Sequence, residues 1–322
     1  MRHLLSIESL LRQDLLNLLE TANKFVEVSQ REIKKVPALR GKTVINLFLE
    51  PSTRTRASFE IAGKWLSADT INISGGESSV KKGESLLDTA RNLQAMSPDI
   101  LVVRHGASGA AQFLSRHLKN TSVVNAGDGL HEHPTQALLD CMTLAQHFKV
   151  PAEQLSGKQI AIVGDIRHSR VARSNLWAHL KLGNTVHLVG PPTLVPSELA
   201  RIRGLEGSVK IFHDLERGLE GSDAVMVLRM QRERQQSNFI STIDEYCRYY
   251  CVNEGVLKRC CDNAVVMHPG PANRGIEISS EVLDGHRSLF QKQVANGVAV
   301  RMAVLFLLVT GKQREVLDAT NS

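Results

Sequence analysis

The chain has 322 residues, 42% of them hydrophobic and 22% charged, with a formal net charge of +6. That length suggests two domains around two cores, and the ordinary composition excludes a low-complexity or disordered chain. Aromatic residues make up only 4% and the basic residues are scattered, so a nucleic-acid partner is not expected.

Glu8, Asp14 and Glu20 interrupt the N-terminal leucines, so this segment does not read as a signal peptide. The longest unbroken apolar run, Met302 to Val309, is far shorter than the roughly 20 residues needed to span a bilayer, and no membrane association is expected. Five cysteines without a CxxC pair fit free thiols in a reducing cytoplasm rather than a disulfide framework or a zinc site. Cys247 and Cys251 have the spacing to share a helix face. No metal or organic cofactor is expected.

In chain order, leucines at helical spacing predict an amphipathic helix over Leu11 to Val28. A buried strand follows at Thr43 to Leu49, then a turn at Glu50-Pro51 and a helix from Ser52 with Ala57, Ile61, Ala62 and Trp65 on its apolar face. Asp69 to Ile73 reads as a strand, Ser74 to Gly83 as a Gly/Ser-rich loop, Glu84 to Ala95 as a helix and Asp99 to Val103 as a strand. Ser122 to Asn125 leads into a Gly127-Asp128-Gly129 turn and a helix opening at Pro134. After a junction near Phe148 to Ser156, strands are predicted at Lys158 to Val163, Thr185 to Val189, Ser208 to Phe212, Ala224 to Leu228 and Ala264 to Met267. The helix Val171 to Leu182 stops at Gly183, a natural left-handed cap. A long apolar helix over about Leu289 to Val309 is expected to return to the first domain.

Short apolar strands alternating with helices predict an α/β fold of two domains, each a parallel sheet flanked by helices. The expected domains are residues 1–148, completed by the C-terminal helix at 287–311, and residues 149–286. Ligands of open parallel sheets bind beyond the carboxyl ends of the strands. Every motif described next follows a predicted strand, apart from the loop that carries Lys82.

Ser52-Thr53-Arg54-Thr55-Arg56 opens a helix with hydroxyls, an arginine and first-turn N–H groups in one place. This is what a phosphate dianion requires, with Ser52 as the N-cap. Arg104 directly follows a buried strand; alone it reads as a surface charge. His133 precedes Pro134 at the first helical position, so its ring can face out of the helix mouth and donate to a carbonyl oxygen, with Gln136 one turn on. Taken alone, this histidine reads as a cap or a packing residue. Arg170 and Arg229 each follow a strand of the second domain; either alone reads as an exposed strand-end charge, although arginine suits planar, bidentate carboxylate recognition.

Phe48 to Arg56 and His133-Pro-Thr-Gln136 resemble the two carbamoyl-phosphate motifs of the aspartate/ornithine carbamoyltransferase superfamily. Further similarity runs through Ser78-Ser-Val-Lys-Lys-Gly-Glu84, Arg229-Met-Gln231 and His268-Pro-Gly-Pro-Ala-Asn-Arg-Gly-Ile-Glu-Ile278, and so covers essentially the whole chain. The resemblance implies that Ser52, Thr53, Arg54 and Thr55 hold the phosphate of carbamoyl phosphate, and that Thr55, Arg104 and His133 contact its carbonyl oxygen. It also implies that Gln136 and the backbone of Pro269, Gly270 and Pro271 hold the amide. Arg170, Arg229 and Gln231 resemble aspartate-binding residues, and Lys82 would reach both substrates from a neighbouring subunit of a homotrimer. The implied reaction moves the carbamoyl group to L-aspartate, giving N-carbamoyl-L-aspartate and phosphate in de novo pyrimidine synthesis. Arg54, Thr55, Arg104 and His133 would stabilise charge in the transition state. A regulatory chain or a dihydroorotase-type partner is compatible with the resemblance.

Three rival readings are weaker. An ornithine site should offer acidic and sulfur-bearing motifs and a His-Cys-Leu-Pro loop, whereas this chain has His268-Pro-Gly-Pro271 and Arg229. A nucleotide-binding dehydrogenase would need a G-x-G-x-x-G after Ile160-Ala-Ile-Val-Gly164, and none follows. A non-enzymatic scaffold should have lost phosphate-site residues, and none is missing.

Overall fold

The computed structural model describes residues 1–75, 83–231, 239–240 and 242–320, with side chains described as far as Gly311. The chain divides into two compact units, Met1–Leu139 with the C-terminal stretch from Ala295, and Asp140–Val294. The expected junction after Phe148 is the end of a helix, whereas the division falls inside that helix.

The first unit is built on β1 (Thr43–Phe48), β2 (Asp69–Ser74), β3 (Ile100–His105) and β4 (Ser122–Asp128). They form a parallel sheet in the order β2-β1-β3-β4. β1, β3 and β4 are buried along most of their length, while β2 is a partly exposed edge. The helices are α1 (Arg12–Gln30), α2 (Thr53–Trp65), α3 (Leu86–Ala95) and α4 (Ala110–His117). One sheet face, with Ile45, Leu47, Leu101 and Val103, packs on Ala90, Leu93 and Leu114 of α3 and α4. Removing such side chains from water is the main force holding the unit together.

The second unit carries β5 (Gln159–Val163), β6 (Thr185–Val189), β7 (Ser208–Phe212), β8 (Ala224–Val227) and β9 (Val265–Met267). They are again all parallel, in the order β7-β6-β5-β8-β9. Among the described residues its helices are α6 (Arg170–Lys181), α7 (Leu215–Leu219), α8 (Ile243–Tyr250), α9 (Glu254–Cys260) and α10 (Ser280–Asp284). Gly183 has φ of +81° just past α6, as its expected capping role requires. Two further helices, α5 (Pro134–Phe148) and α11 (Phe290–Thr320), each begin in one unit and end in the other.

Several expectations need correction. α2 buries Thr55, Phe59 and Ala62, while Ala57 and Ile61 are exposed. Of the expected apolar face, Ala62 is buried and Trp65 half-buried. Arg104 lies within β3, and Gly127-Asp128 belongs to β4 rather than to a turn. Leu11 is the exposed N-cap of α1, which runs two residues past the expected end at Val28. Between Phe290 and Gly311, α11 is long and apolar enough to cross a membrane by length and composition, which the count of unbroken apolar residues overlooked. Isolated charges such as Arg301 interrupt the run without making the helix polar. Most of that span is buried, as a core helix requires, and the Arg301 guanidinium lies 5.2 Å from the Phe59 ring centre.

The N-terminal segment is tied to the first unit by Glu132. This buried carboxylate accepts from Ile7 N at 2.8 Å and Glu8 N at 3.1 Å. Glu132→Gln would turn an amide N–H₂ towards one of those donors. It should lower stability by about 1–3 kcal/mol, visible as a lower urea midpoint with an unchanged slope. An unchanged midpoint would show that the tether is dispensable.

Candidate active site

In an open parallel sheet, the crevice forms where chain connections leave neighbouring strands in opposite directions. In the first sheet that point lies between β1 and β3, since β1 is flanked by β2 on one side and β3 on the other. The chain leaves β1 through Glu50-Pro51 into α2. Ser52 holds the extended geometry of an N-cap, with φ of −163° and ψ of 106°, but its hydroxyl makes no capping hydrogen bond. The helix mouth thus lacks a side-chain cap, the arrangement that an incoming anion completes. Thr53 and Arg54 are exposed, and Ser52 is half-buried. The neighbouring Arg56 is engaged structurally, donating from Nη1 to Ser74 Oγ at 2.6 Å.

Thr55 turns inward. Its Oγ1 lies 3.5 Å from His133 Nε2, and both side chains are buried. The structure therefore brings together two of the residues expected at the carbonyl oxygen. His133 directly precedes α5, as expected, and its carbonyl accepts from Gln136 N at 2.9 Å. The Gln136 side chain is itself buried.

The turn before His133 is braced by Asp128, which accepts from Asn125 Nδ2 at 2.7 Å, Gly109 N at 2.6 Å and Glu132 N at 3.2 Å. Burial pushes the Asp128 carboxyl up, but hydrogen bonds from His131 and Asn125 outweigh it and hold the group below the usual range. The same bond raises His131.

Arg104 pairs in register with Phe48 of β1, one strand over. Its Nη1 donates to Ala126 O at 3.2 Å and its Nη2 lies 3.8 Å from Glu50 Oε1. With its side chain only 12% exposed, it is not a solvated strand-end charge. Glu50 was missed by the sequence reading. Its signal was available, since it is the acidic residue beside the Pro51 turn of the phosphate motif.

In the second sheet the corresponding point lies between β5 and β8. After β5, Asp165 Oδ1 accepts from His168 N at 3.2 Å and lies 2.8 Å from His168 Nδ1. Ser169 caps α6 by accepting from Ala172 N, and Arg170 is the first residue of that helix, buried at 4% exposure. Arg229 and Gln231 follow β8 and are half-buried. Gln231 Oε1 is buried without a hydrogen-bond partner among the described residues. Two arginines and an amide thus stand at the carboxyl ends of the two strands that flank the switch point. Lys82 lies outside the described residues.

The chain leaves β9 into His268-Pro-Gly-Pro271. His268 Nδ1 accepts from Gly270 N at 2.9 Å, and Gly270 takes φ of +64°, a conformation that favours glycine. The Gly270–Pro271 bond is cis. His268 Nε2 lies 3.4 Å from the buried Glu277 Oε1.

Two clusters carry no chemistry for the site. All five cysteines are free, and burial pushes Cys251 and Cys261 up to about 11, so both are neutral thiols near pH 7. Cys251 follows the last residue of α8 rather than sharing its face with Cys247. Among the described residues, Glu8, His131 and Glu132 have metal-ligand spacing. Two of the three are engaged otherwise: Glu132 in the tether and His131 with Asp128, at 3.1 Å.

Residues 2–146 match the description "aspartate/ornithine carbamoyltransferase, carbamoyl-P binding domain", and residues 156–308 match its Asp/Orn binding domain. The chain belongs to the aspartate/ornithine carbamoyltransferase family. It is 53% identical over 315 residues to the aspartate carbamoyltransferase catalytic subunit of Magnetococcus marinus, covering 97% of this chain and 94% of that protein. The catalytic subunit from Desulfotalea psychrophila is 50% identical over 313 residues, covering 97% and 95%. Among solved structures, the Trypanosoma cruzi aspartate transcarbamoylase in complex with carbamoyl phosphate and aspartate gives a TM-score of 0.82 at 29% identity, covering 95% of this chain and 96% of that one. The ornithine carbamoyltransferase of Pyrococcus furiosus gives 0.83 at 27% identity, covering 96% and 97%. Backbone shape is therefore common to both branches of the family, and the acceptor must be read from the second unit's side chains and from sequence identity.

Proposed function

We propose that the chain transfers the carbamoyl group of carbamoyl phosphate to the α-amine of L-aspartate, a step of pyrimidine synthesis. The observation that carries this reading is the pair Arg170 and Arg229 at the carboxyl ends of β5 and β8, suited to the two carboxylates of aspartate. Arg229 would repel the side-chain ammonium of ornithine. The identity of 50% and more to aspartate carbamoyltransferase catalytic subunits points the same way.

Carbamoyl phosphate is assigned to Ser52, Thr53, Arg54 and Thr55 through its phosphate, and to Thr55, Arg104 and His133 through its carbonyl oxygen. Gln136 and the backbone of Gly270 and Pro271 are assigned to its amide. The neutral amine of aspartate attacks the carbamoyl carbon, and the C–O bond to phosphate breaks from the tetrahedral intermediate. Thr55, Arg104 and His133 donate to the oxyanion, while Arg54 offsets charge on the departing phosphate. That phosphate takes the amine proton, so no side-chain base is required. The rate then rests on orientation and electrostatic preorganisation.

We further propose a cyclic homotrimer in which Lys82 completes the site of a neighbouring copy, and a reducing cytoplasm, which suits five free thiols. Ile61 on α2 and Ile71 on β2 are exposed at 38% and 48%, apolar surface that a second copy would cover.

The purified chain should form carbamoyl aspartate from aspartate and little citrulline from ornithine. Arg229→Ala should raise the aspartate KM by about 10- to 100-fold, or about 1.4–3 kcal/mol, because a carboxylate is left unpaired. The KM for carbamoyl phosphate should change little. Robust citrulline formation by the parent chain would sink the acceptor assignment.

A further inference from the structure

The second unit contains a buried carboxylate that joins two of its substrate-facing segments. Asp140 on α5 and Asn175 on α6 are fully buried, and Gln293 on α11 and His268 after β9 are nearly so. A carboxylate is tolerated there only where donors meet it. One Asp140 oxygen accepts from Asn175 Nδ2 at 2.8 Å, the other from Gln293 Nε2 at 2.7 Å.

These bonds fix orientations further along. Because Gln293 must present Nε2 to Asp140, its Oε1 faces His268 N and accepts from it at 3.0 Å. His268 Nδ1 then accepts from Gly270 N, which closes the turn bearing Gly270 and Pro271. On the other side, Asn175 Nδ2 also donates to Val171 O at 3.1 Å, in the first turn of α6 beside Arg170.

We infer that Asp140 is a positioning residue for both substrates, an inference that rests on the proposed reaction. Through Gln293 it holds the turn assigned to the carbamoyl amide, and through Asn175 it holds the helix mouth that presents Arg170 to aspartate. The requirement is an acceptor facing both ways, which a carboxylate meets and an amide does not. Asp140→Asn sets an N–H₂ group against Asn175 Nδ2 or Gln293 Nε2. If Gln293 flips to relieve the clash, its Nε2 meets His268 N, donor against donor, and the fault passes to the turn.

The reciprocal exchange repairs the pattern. In Asp140→Asn/Gln293→Glu, the amide at 140 accepts from Asn175 through its oxygen and donates to the carboxylate at 293. The second oxygen of that carboxylate still accepts from His268 N, and the buried charge is conserved.

The test measures kcat and both KM values on the full chain, together with amide hydrogen exchange of substrate-free protein over residues 170–176 and 268–275. Asp140→Asn and Gln293→Glu should each lower kcat/KM for both substrates at least about tenfold and speed exchange over 268–275. The double variant should return both readouts to within about threefold of the parent, the coupling expected of directly bonded partners. Asn175→Leu, which cuts one arm, should raise the aspartate KM about fivefold or more and leave that of carbamoyl phosphate within about twofold.

Folded single variants with unchanged kcat/KM would overturn the inference. So would a folded double variant no better than the worse single, or an Asn175→Leu variant that shifts both KM values equally. If a single variant does not fold, recovery in the double variant and the Asn175→Leu split decide, and the lack of both overturns it. A parent chain that makes no carbamoyl aspartate refutes the proposed function instead, and the exchange data still judge the bond network.

Discussion

Replacing His133 by alanine should lower kcat about 30- to 1,000-fold, or about 2–4 kcal/mol, the range for losing one donor to a developing oxyanion. The residue is buried and sits immediately before α5, with Nε2 within 3.5 Å of Thr55 Oγ1. A side chain in that place is fixed before substrate arrives, so little reorganisation is needed as charge builds on the carbonyl oxygen. The effect should fall on kcat more than on phosphate affinity, because the phosphate is assigned to the α2 mouth. Inorganic phosphate should therefore inhibit the variant about as well as the parent. His133→Gln keeps an N–H donor and should recover part of the loss. If His133→Ala turned over at the parent rate, the histidine would be a packing residue of the α5 entrance and the oxyanion would depend on Thr55 and Arg104.

The parallel sheets were legible because apolar runs such as Ile160 to Val163 have only one way to be buried in an α/β fold. The runs say less about faces and ends. α2 shows the first failure: of the expected face Ala57, Ile61, Ala62 and Trp65, only Ala62 is fully buried, together with Thr55 and Phe59. Periodicity reports a stripe, and only packing decides which stripe meets the core. Strand ends shifted for a related reason, since Arg104 and Asp128 stay in the ladder although neither is apolar. Arg104 can remain because Ala126 O and Glu50 receive its guanidinium.

The candidate site residues stand out in the sequence as short motifs, each beside a strand end apart from the loop that carries Lys82. Their supporting residues do not. Asp128 and Asp140 act through hydrogen bonds and Glu50 through an ion pair with Arg104, and spacing does not reveal such partners. Asp140 left one trace, a charged residue within the apolar Ala137-Leu-Leu-Asp-Cys-Met142 stretch. Buried charges of that kind need partners, and the partners were visible only once α6 and α11 were in place.

The second large effect concerns the sharing of sites between subunits. Lys82→Ala and Arg54→Ala should each be nearly inactive, since one lacks the cation assigned to both substrates and the other lacks the charge facing the leaving phosphate. Arg54 is exposed at the first turn of α2, and the neighbouring Arg56 is engaged by Ser74. Because the two residues are proposed to come from different copies of the chain, the defects should complement. A closed head-to-tail ring gives every subunit one donating and one accepting face. In a mixed trimer, a site that takes its phosphate residues from the Lys82→Ala chain and its lysine from the Arg54→Ala chain has both native groups. Random reassembly of an equal mixture makes about one quarter of all sites native, so activity should climb from near zero to about a quarter of the parent's. Tagged subunits purified in sequence would show that the hybrids formed. Hybrids that form and remain as inactive as either variant alone would show that Lys82 serves the site of its own subunit, and the shared-site trimer would have to be given up.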